Sequence, residues 1–118
     1  KYLGHAAVLD IGLALFEPTS ANQLYVVPLK LFDYMGLGIP VVVSDFPSMR
    51  QIVDGCGIGT TADPRSAESI AAAIRSLMED SAKRQAMSVA AIRCFETTYS
   101  WERQEEVLLR SHPVFRPA

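Results

Sequence analysis

The residues with the clearest capacity for chemistry lie at the start of a helix that the sequence predicts from Pro28 onward. Proline suits a first helical turn, because its missing N–H would have no partner there. The backbone amides of Leu29 and Lys30 are then free to donate hydrogen bonds, and the positive end of the helix dipole favours phosphate. Lys30 adds a compact positive charge, and Asp33 follows three residues later on nearly the same helical face.

This spacing separates a phosphate cradle from a carboxylate by about one helical turn. The Asp33 carboxylate can accept two hydrogen bonds from the hydroxyls of a ribose diol. The pattern therefore fits a nucleoside diphosphate. The alternative is a solvated i,i+3 ion pair between Lys30 and Asp33, which would stabilise the helix by ~0.2–0.5 kcal/mol.

The elements around this segment alternate between strands and helices. Apolar runs at 11–16 and 41–44 indicate strands buried on both faces, and 57–61 indicates a weaker third strand. Five helices are predicted: from Pro28 to Met35, over 49–53, over about 63–78, over about 81–97, and after Ser100. Residues 2–9 are predicted to end an earlier helix, and residues 17–23 to form a polar loop. Such alternation implies parallel strands and right-handed crossovers. We expect an α/β fold: a partial Rossmann-like, doubly wound parallel sheet of about three strands, with flanking helices and a helical C-terminal tail.

Length and composition fit one soluble domain. The 118 residues carry a net charge of −2 without a basic run, which excludes the electrostatic footprint of a nucleic-acid-binding protein. There is no leader pattern and no apolar run near the ~20 residues of a membrane span. The expected location is cytoplasmic, with a peripheral position at the inner face of the membrane as the alternative. We interpret 1–118 as one partial domain and a fragment of a longer protein, with 98–118 as its terminal helix and tail.

Three expectations concern packing rather than chemistry. A three-stranded sheet leaves the strand at 11–15 with an open edge, which predicts self-association or additional chain. Cys56 and Cys94 lie 38 residues apart without CxxC spacing or a nearby His, so we expect buried thiols, with a disulfide or a metal site as the alternative. Trp101 is expected to be a packing anchor.

The stretch from Pro28 to Asp45, PLKLFDYMGLGIPVVVSD, resembles a signature of retaining GT-B glycosyltransferases. The usual form there is Pro-x-Lys-x-x-Glu-Tyr-x-x-x-Gly-x-Pro-Val-Val-x-(Ser/Thr)-(Asp/Asn). The flanks are similar more loosely, at 58–74 and at Tyr99-Ser100-Trp101. The resemblance thus covers nearly the whole chain and implies the C-terminal part of the nucleotide-sugar-binding domain.

Carried over by position, the resemblance assigns a role to each of six residues. Asp33 stands where the family's glutamate binds the ribose hydroxyls, and Leu29 and Lys30 stand where backbone amides meet the donor diphosphate. The donor-sugar pocket would include Val26, Val27 and Asn22. Two positions depart from the pattern: Asp33 is one methylene shorter than glutamate, and Tyr25 occupies the place of a second acid that contacts the donor sugar in many relatives.

The implied activity is transfer of a sugar from a nucleoside-diphosphate sugar to a hydroxyl acceptor. The resemblance implies neither a metal nor another cofactor, and no residue of this chain is identified as a catalytic base. A glycan, lipid-linked or small-molecule acceptor would bind to an N-terminal domain outside this sequence, and the fragment alone would be inactive. Two alternatives remain open: a nucleotide-sugar epimerase of the same fold, and a non-enzymatic partner-binding module of response-regulator type.

Overall fold

A computed structural model describes residues 9–17, 21–25 and 27–111 of the chain. The strands are β1 (Gly12–Ala14), β2 (Val41–Ser44) and β3 (Gly59–Ala62), and the helices are α1 (Leu29–Leu37), α2 (Pro47–Cys56), α3 (Ala67–Met78), α4 (Ser81–Cys94) and α5 (Trp101–Ser111). A 3-10 helix spans Ala21–Tyr25, and a π-helical turn, Phe95–Tyr99, continues α4. Every strand and helix predicted within the described part is confirmed, with shifts of a few residues at the ends. The polar loop at 17–23 differs, because its described part enters the 3-10 helix. The helix predicted to end near residue 9 lies almost wholly outside the described residues.

The three strands form one parallel sheet in the order β1-β2-β3. Gly12 at the start of β1 pairs with Val41 at the start of β2, and Val41 pairs with Gly59 at the start of β3. The first residues of the three strands are therefore aligned across the sheet. Successive side chains of β2 point to opposite faces. Val41 and Val43 pack in a core with buried residues of α1, α2 and α4, whereas Val42 packs with Leu77 of α3 on the other face. Helices therefore cover both faces, and the predicted α/β doubly wound class is confirmed.

The turn between α1 and β2 is short because Gly38 adopts a left-handed conformation, with φ 70° and ψ 35°. Its N–H donates to the Met35 carbonyl at 3.1 Å, and the Ile39 N–H donates to the Tyr34 carbonyl at 2.9 Å. This arrangement satisfies carbonyls at the helix end. A Cβ at Gly38 would lie 2.8 Å from Ile92 Cδ1 of α4, so glycine also permits close packing of α4 against this turn.

Two expectations from the sequence are wrong. Cys56 and Cys94 are joined in a disulfide that links the end of α2 to the end of α4, so neither is the free thiol we expected. The pairing could not be read from the sequence, because it depends on how two helix ends meet in space. Trp101 is 72% exposed in the described part of the chain, and it is therefore not a packing anchor there.

The β1 edge of the sheet carries exposed apolar surface. Within the described residues, β1 has a strand neighbour on one side only, and Leu13 at its centre is 40% exposed.

Among the described residues, no helix is both long enough and apolar enough to cross a membrane.

Candidate functional site

Three of the predicted site residues, Leu29, Lys30 and Asp33, lie at the carboxyl-terminal edge of the sheet. Residues 15–28 leave the end of β1 and lead into α1, so the first turn of α1 faces that edge. Ligands of open α/β sheets bind in the crevice beyond the carboxyl ends of the strands. The fold therefore brings Leu29, Lys30 and Asp33 to the edge where a ligand is expected.

The start of α1 presents two backbone donors. Pro28 is the N-cap residue, with φ −70° and ψ 146°, and it has no N–H. The Leu31 N–H is already used, because it donates to the Pro28 carbonyl at 3.1 Å. Among the described residues, no acceptor lies within hydrogen-bonding distance of the Leu29 or Lys30 N–H. These two amides, at the positive end of the helix dipole, form a site suited to an anion.

The side chains of Lys30 and Asp33 stay clear of the core. Lys30 is exposed and Asp33 is partly buried, while the core face of α1 is formed by Leu31, Tyr34 and Met35. Within the described part of the chain, no ion pair includes Lys30 or Asp33, so the surface ion pair considered as an alternative is not formed. The Asp33 carboxylate accepts no hydrogen bond from any described residue, and its oxygens are available to hydroxyl donors.

The three residues assigned to the donor-sugar pocket are less fully described. Val27 is partly buried and packs against the core beneath α1. Val26 and the side chain of Asn22 lie outside the described residues. Tyr25, which replaces the second acid of many relatives, is 69% exposed at the end of the 3-10 helix. The pocket assignment of Asn22, Val26 and Val27 remains a prediction.

A cavity of about 320 Å³ opens on the same edge of the sheet. It lies beyond the ends of β2 and β3 and is lined by Leu24, Asp45, Phe46, Asp63, Pro64 and Arg65. Asp45 accepts from Arg50 at 2.6 Å between Nε and Oδ1, with both side chains about half exposed. Among the described residues that line this cavity, none was predicted from the sequence to form the site. A signal for it was present, since Asp45 and Asp63 each directly follow a strand.

Taken together, the first turn of α1 can hold an anion and, one turn later, accept hydrogen bonds from a diol. The model of the glycosyl transferases group 1 family matches residues 20–93, a range that runs from the 3-10 helix into α4. This chain belongs to that family. The resemblance inferred from the stretch between Pro28 and Asp45 is therefore confirmed, and the glycosyl transferases group 1 match includes the whole of α1 with Leu29, Lys30 and Asp33.

A curated relative adds a named activity for comparison. Over 98 residues, the chain is 26% identical to the chitobiosyldiphosphodolichol beta-mannosyltransferase of Candida albicans. The aligned region covers 81% of this chain and 20% of that protein. The chain therefore spans about a fifth of the length of this relative.

Proposed function

We propose that the intact protein transfers a sugar from a nucleoside-diphosphate sugar to a hydroxyl acceptor, and that this chain binds the nucleotide part of the donor. The observation that carries the proposal is the start of α1, where the Leu29 and Lys30 amides have no described acceptor and Asp33 follows about one turn later. Membership of the glycosyl transferases group 1 family supports it. It also favours glycosyl transfer over the partner-binding module.

Each residue has a role that follows from its chemistry. The Leu29 and Lys30 amides donate to the donor diphosphate, and the exposed Lys30 ammonium adds positive charge nearby. The Asp33 carboxylate accepts from the two ribose hydroxyls, which sets the nucleotide's position along α1. Because this carboxylate is shorter than the family's glutamate, the ribose must approach the helix more closely or tilt toward it.

The same donors assist the reaction by stabilising the leaving group. When the bond between the anomeric carbon and the β-phosphate oxygen breaks, the electron pair stays on the diphosphate and its negative charge increases. Amides fixed at a helix N-terminus stabilise that charge without having to reorganise. Positive charge from the helix and Lys30 stands where a metal ion would otherwise act, so we propose transfer without a metal. The acceptor hydroxyl loses its proton to a base that lies outside the residues assigned here.

The acceptor class follows from the relative's name. That protein is described as a mannosyltransferase acting on chitobiosyldiphosphodolichol, which is a lipid-linked glycan. We propose a lipid-linked glycan as the first acceptor class to test, and a soluble glycan or a small hydroxylated molecule as the alternatives. The acceptor would bind to a part of the protein outside this chain.

Calorimetric titration of the intact protein with UDP, GDP and ADP tests donor binding. We expect one of the three to bind, and binding to weaken at least about tenfold for the 2′,3′-dideoxy form of that nucleotide, since a hydrogen bond to a charged group is worth about 1.5–3 kcal/mol. Asp33→Asn should remove most of this preference for ribose. Asp33→Glu is the matched control and should keep it. Absence of binding by all three nucleotides would overturn the proposal.

A further inference from the structure

The connection between β1 and α1 is held by a short neighbouring segment that the site residues do not include. Residues 44–48 form the corner where β2 ends and α2 begins. We propose that Ser44 and Ser48 in this corner are positioning residues, which hold Phe16 and Leu24 of the connection between β1 and α1 and so set the start of α1 for donor binding. The inference rests on the proposed function and assigns two residues to it that do not themselves touch the nucleotide.

Ser44 anchors the beginning of the connection. Its side chain is fully buried, and it is the buried polar residue of the described core. The Phe16 N–H donates to Ser44 Oγ at 2.8 Å, and the Ser44 hydroxyl donates to the Phe16 carbonyl at 3.0 Å. One hydroxyl therefore satisfies both backbone groups of a residue that lies two positions beyond the end of β1. Without it, the N–H and carbonyl of Phe16 would lose their partner in a partly buried place.

Ser48 anchors a second point on the same connection. Its hydroxyl donates to the Leu24 carbonyl at 3.1 Å, within the 3-10 helix that precedes the start of α1 by a few residues. An aromatic contact reinforces the pair of anchors: the rings of Phe16 and Phe46 meet edge to face, with centroids 5.1 Å apart. Phe46 is itself 4% exposed, so the Phe16 ring packs against a fixed partner.

The consequence for binding is preorganisation. The connection ends at Pro28, the N-cap residue of α1. Hydrogen bonds that hold Phe16 and Leu24 in place keep the start of α1 in one arrangement before the ligand arrives. If an anchor is removed, binding has to order the connection as well, and affinity falls for that reason.

The decisive variants separate positioning from general stability. Ser48→Ala removes one anchor at a partly buried position, and Ser48→Thr keeps the hydroxyl. The matched control is Ser66→Ala: Ser66 Oγ accepts from the Ser69 N–H at 3.1 Å as the N-cap of α3, so this change also removes a serine hydroxyl bonded to backbone. It should lower Tm without touching the connection at 15–28.

In the intact protein, we expect Ser48→Ala to weaken binding of the preferred nucleoside diphosphate about two- to tenfold, the range that loss of the hydrogen bond to the Leu24 carbonyl would give. Ser48→Thr should restore wild-type affinity, and Ser66→Ala should leave it unchanged. Ser44→Ala should in addition speed hydrogen exchange of the Phe16 amide. The proposal is overturned if Ser48→Ala binds the nucleotide as tightly as wild type, or if Ser66→Ala weakens binding as much as Ser48→Ala does. It is also overturned if Ser44→Ala leaves exchange of the Phe16 amide unchanged. If wild type binds no nucleotide, the proposed function fails as well; if wild type binds and Ser48→Ala binds equally, the positioning role alone fails.

Discussion

Replacing Leu29 by proline should remove one backbone donor from the candidate site without disturbing the helix that carries it. Leu29 is the first residue of α1, and its side chain is 81% exposed. Proline is accommodated at this helical position. The preceding Pro28 already has φ −70° and ψ 146°, the extended conformation that a following proline requires. The lost N–H has no acceptor among the described residues, so no described hydrogen bond is lost there.

The expected effect on binding follows from the charge of the ligand. A hydrogen bond to a charged group contributes about 1.5–3 kcal/mol, which corresponds to roughly a 10- to 150-fold weaker Kd. Leu29→Ala is the matched control, since it removes the same exposed side chain and keeps the N–H. We expect calorimetry with the preferred nucleoside diphosphate to show weak binding by Leu29→Pro and unchanged binding by Leu29→Ala.

Stability provides the second readout of the same pair of variants. Leu29→Pro should unfold at the same temperature as the wild type or slightly higher, because proline restricts the unfolded chain. If Leu29→Pro and Leu29→Ala bind the nucleotide equally well, the amide of residue 29 does not contact the diphosphate. A clear fall in Tm for Leu29→Pro would contradict the conformation that we describe for the start of α1.

Three further expectations concern the fold around the site. Reduction of the Cys56–Cys94 disulfide, which spans 38 residues, should lower the free energy of unfolding by about 4 kcal/mol on the chain-entropy model; denaturant unfolding with and without a thiol reductant measures the change, and equal midpoints would contradict it. Gly38→Ala should destabilise by about 1–2 kcal/mol because of its positive φ, whereas Gly55→Ala, where a Cβ would meet nothing within 4 Å, should not; equal urea midpoints for the two variants would refute this. The isolated 118-residue chain should self-associate through the β1 edge, and Leu13→Lys should reduce that association; sedimentation of the unaltered chain as a stable monomer would exclude it.

Local signals were sufficient to predict most of the secondary structure. The run Val41–Ser44 was predicted with the bounds that β2 has, because a continuous apolar run after Gly38 and Pro40 leaves little choice of conformation. The bounds of α1 were also predicted to within two residues, because Pro28 indicates where the helix begins and the glycines at 36 and 38 indicate where it ends. The placement of Leu29, Lys30 and Asp33 at the sheet edge followed from these boundaries.

Features that depend on contacts between distant segments were not predictable in this way. The disulfide requires the ends of α2 and α4 to meet, and nothing in the spacing of Cys56 and Cys94 indicates that they do. The cavity near Asp45 requires three connections to converge at one edge. The two anchors on the connection after β1 likewise join residues 28 and 24 positions apart in sequence. In each case, tertiary packing supplies information that local propensity lacks.

Hydrogen exchange of the intact protein, with and without saturating nucleoside diphosphate, tests the central claim most directly. The Leu29 and Lys30 amides, which have no acceptor among the described residues, should exchange fast without ligand. We therefore expect a peptide spanning 25–35, which reports on both amides, to become protected by the nucleotide, while a peptide from the start of α3 (65–72) stays unchanged. Binding of the nucleotide without protection of the peptide 25–35, or with equal protection of both helix starts, would contradict our assignment of the diphosphate to α1.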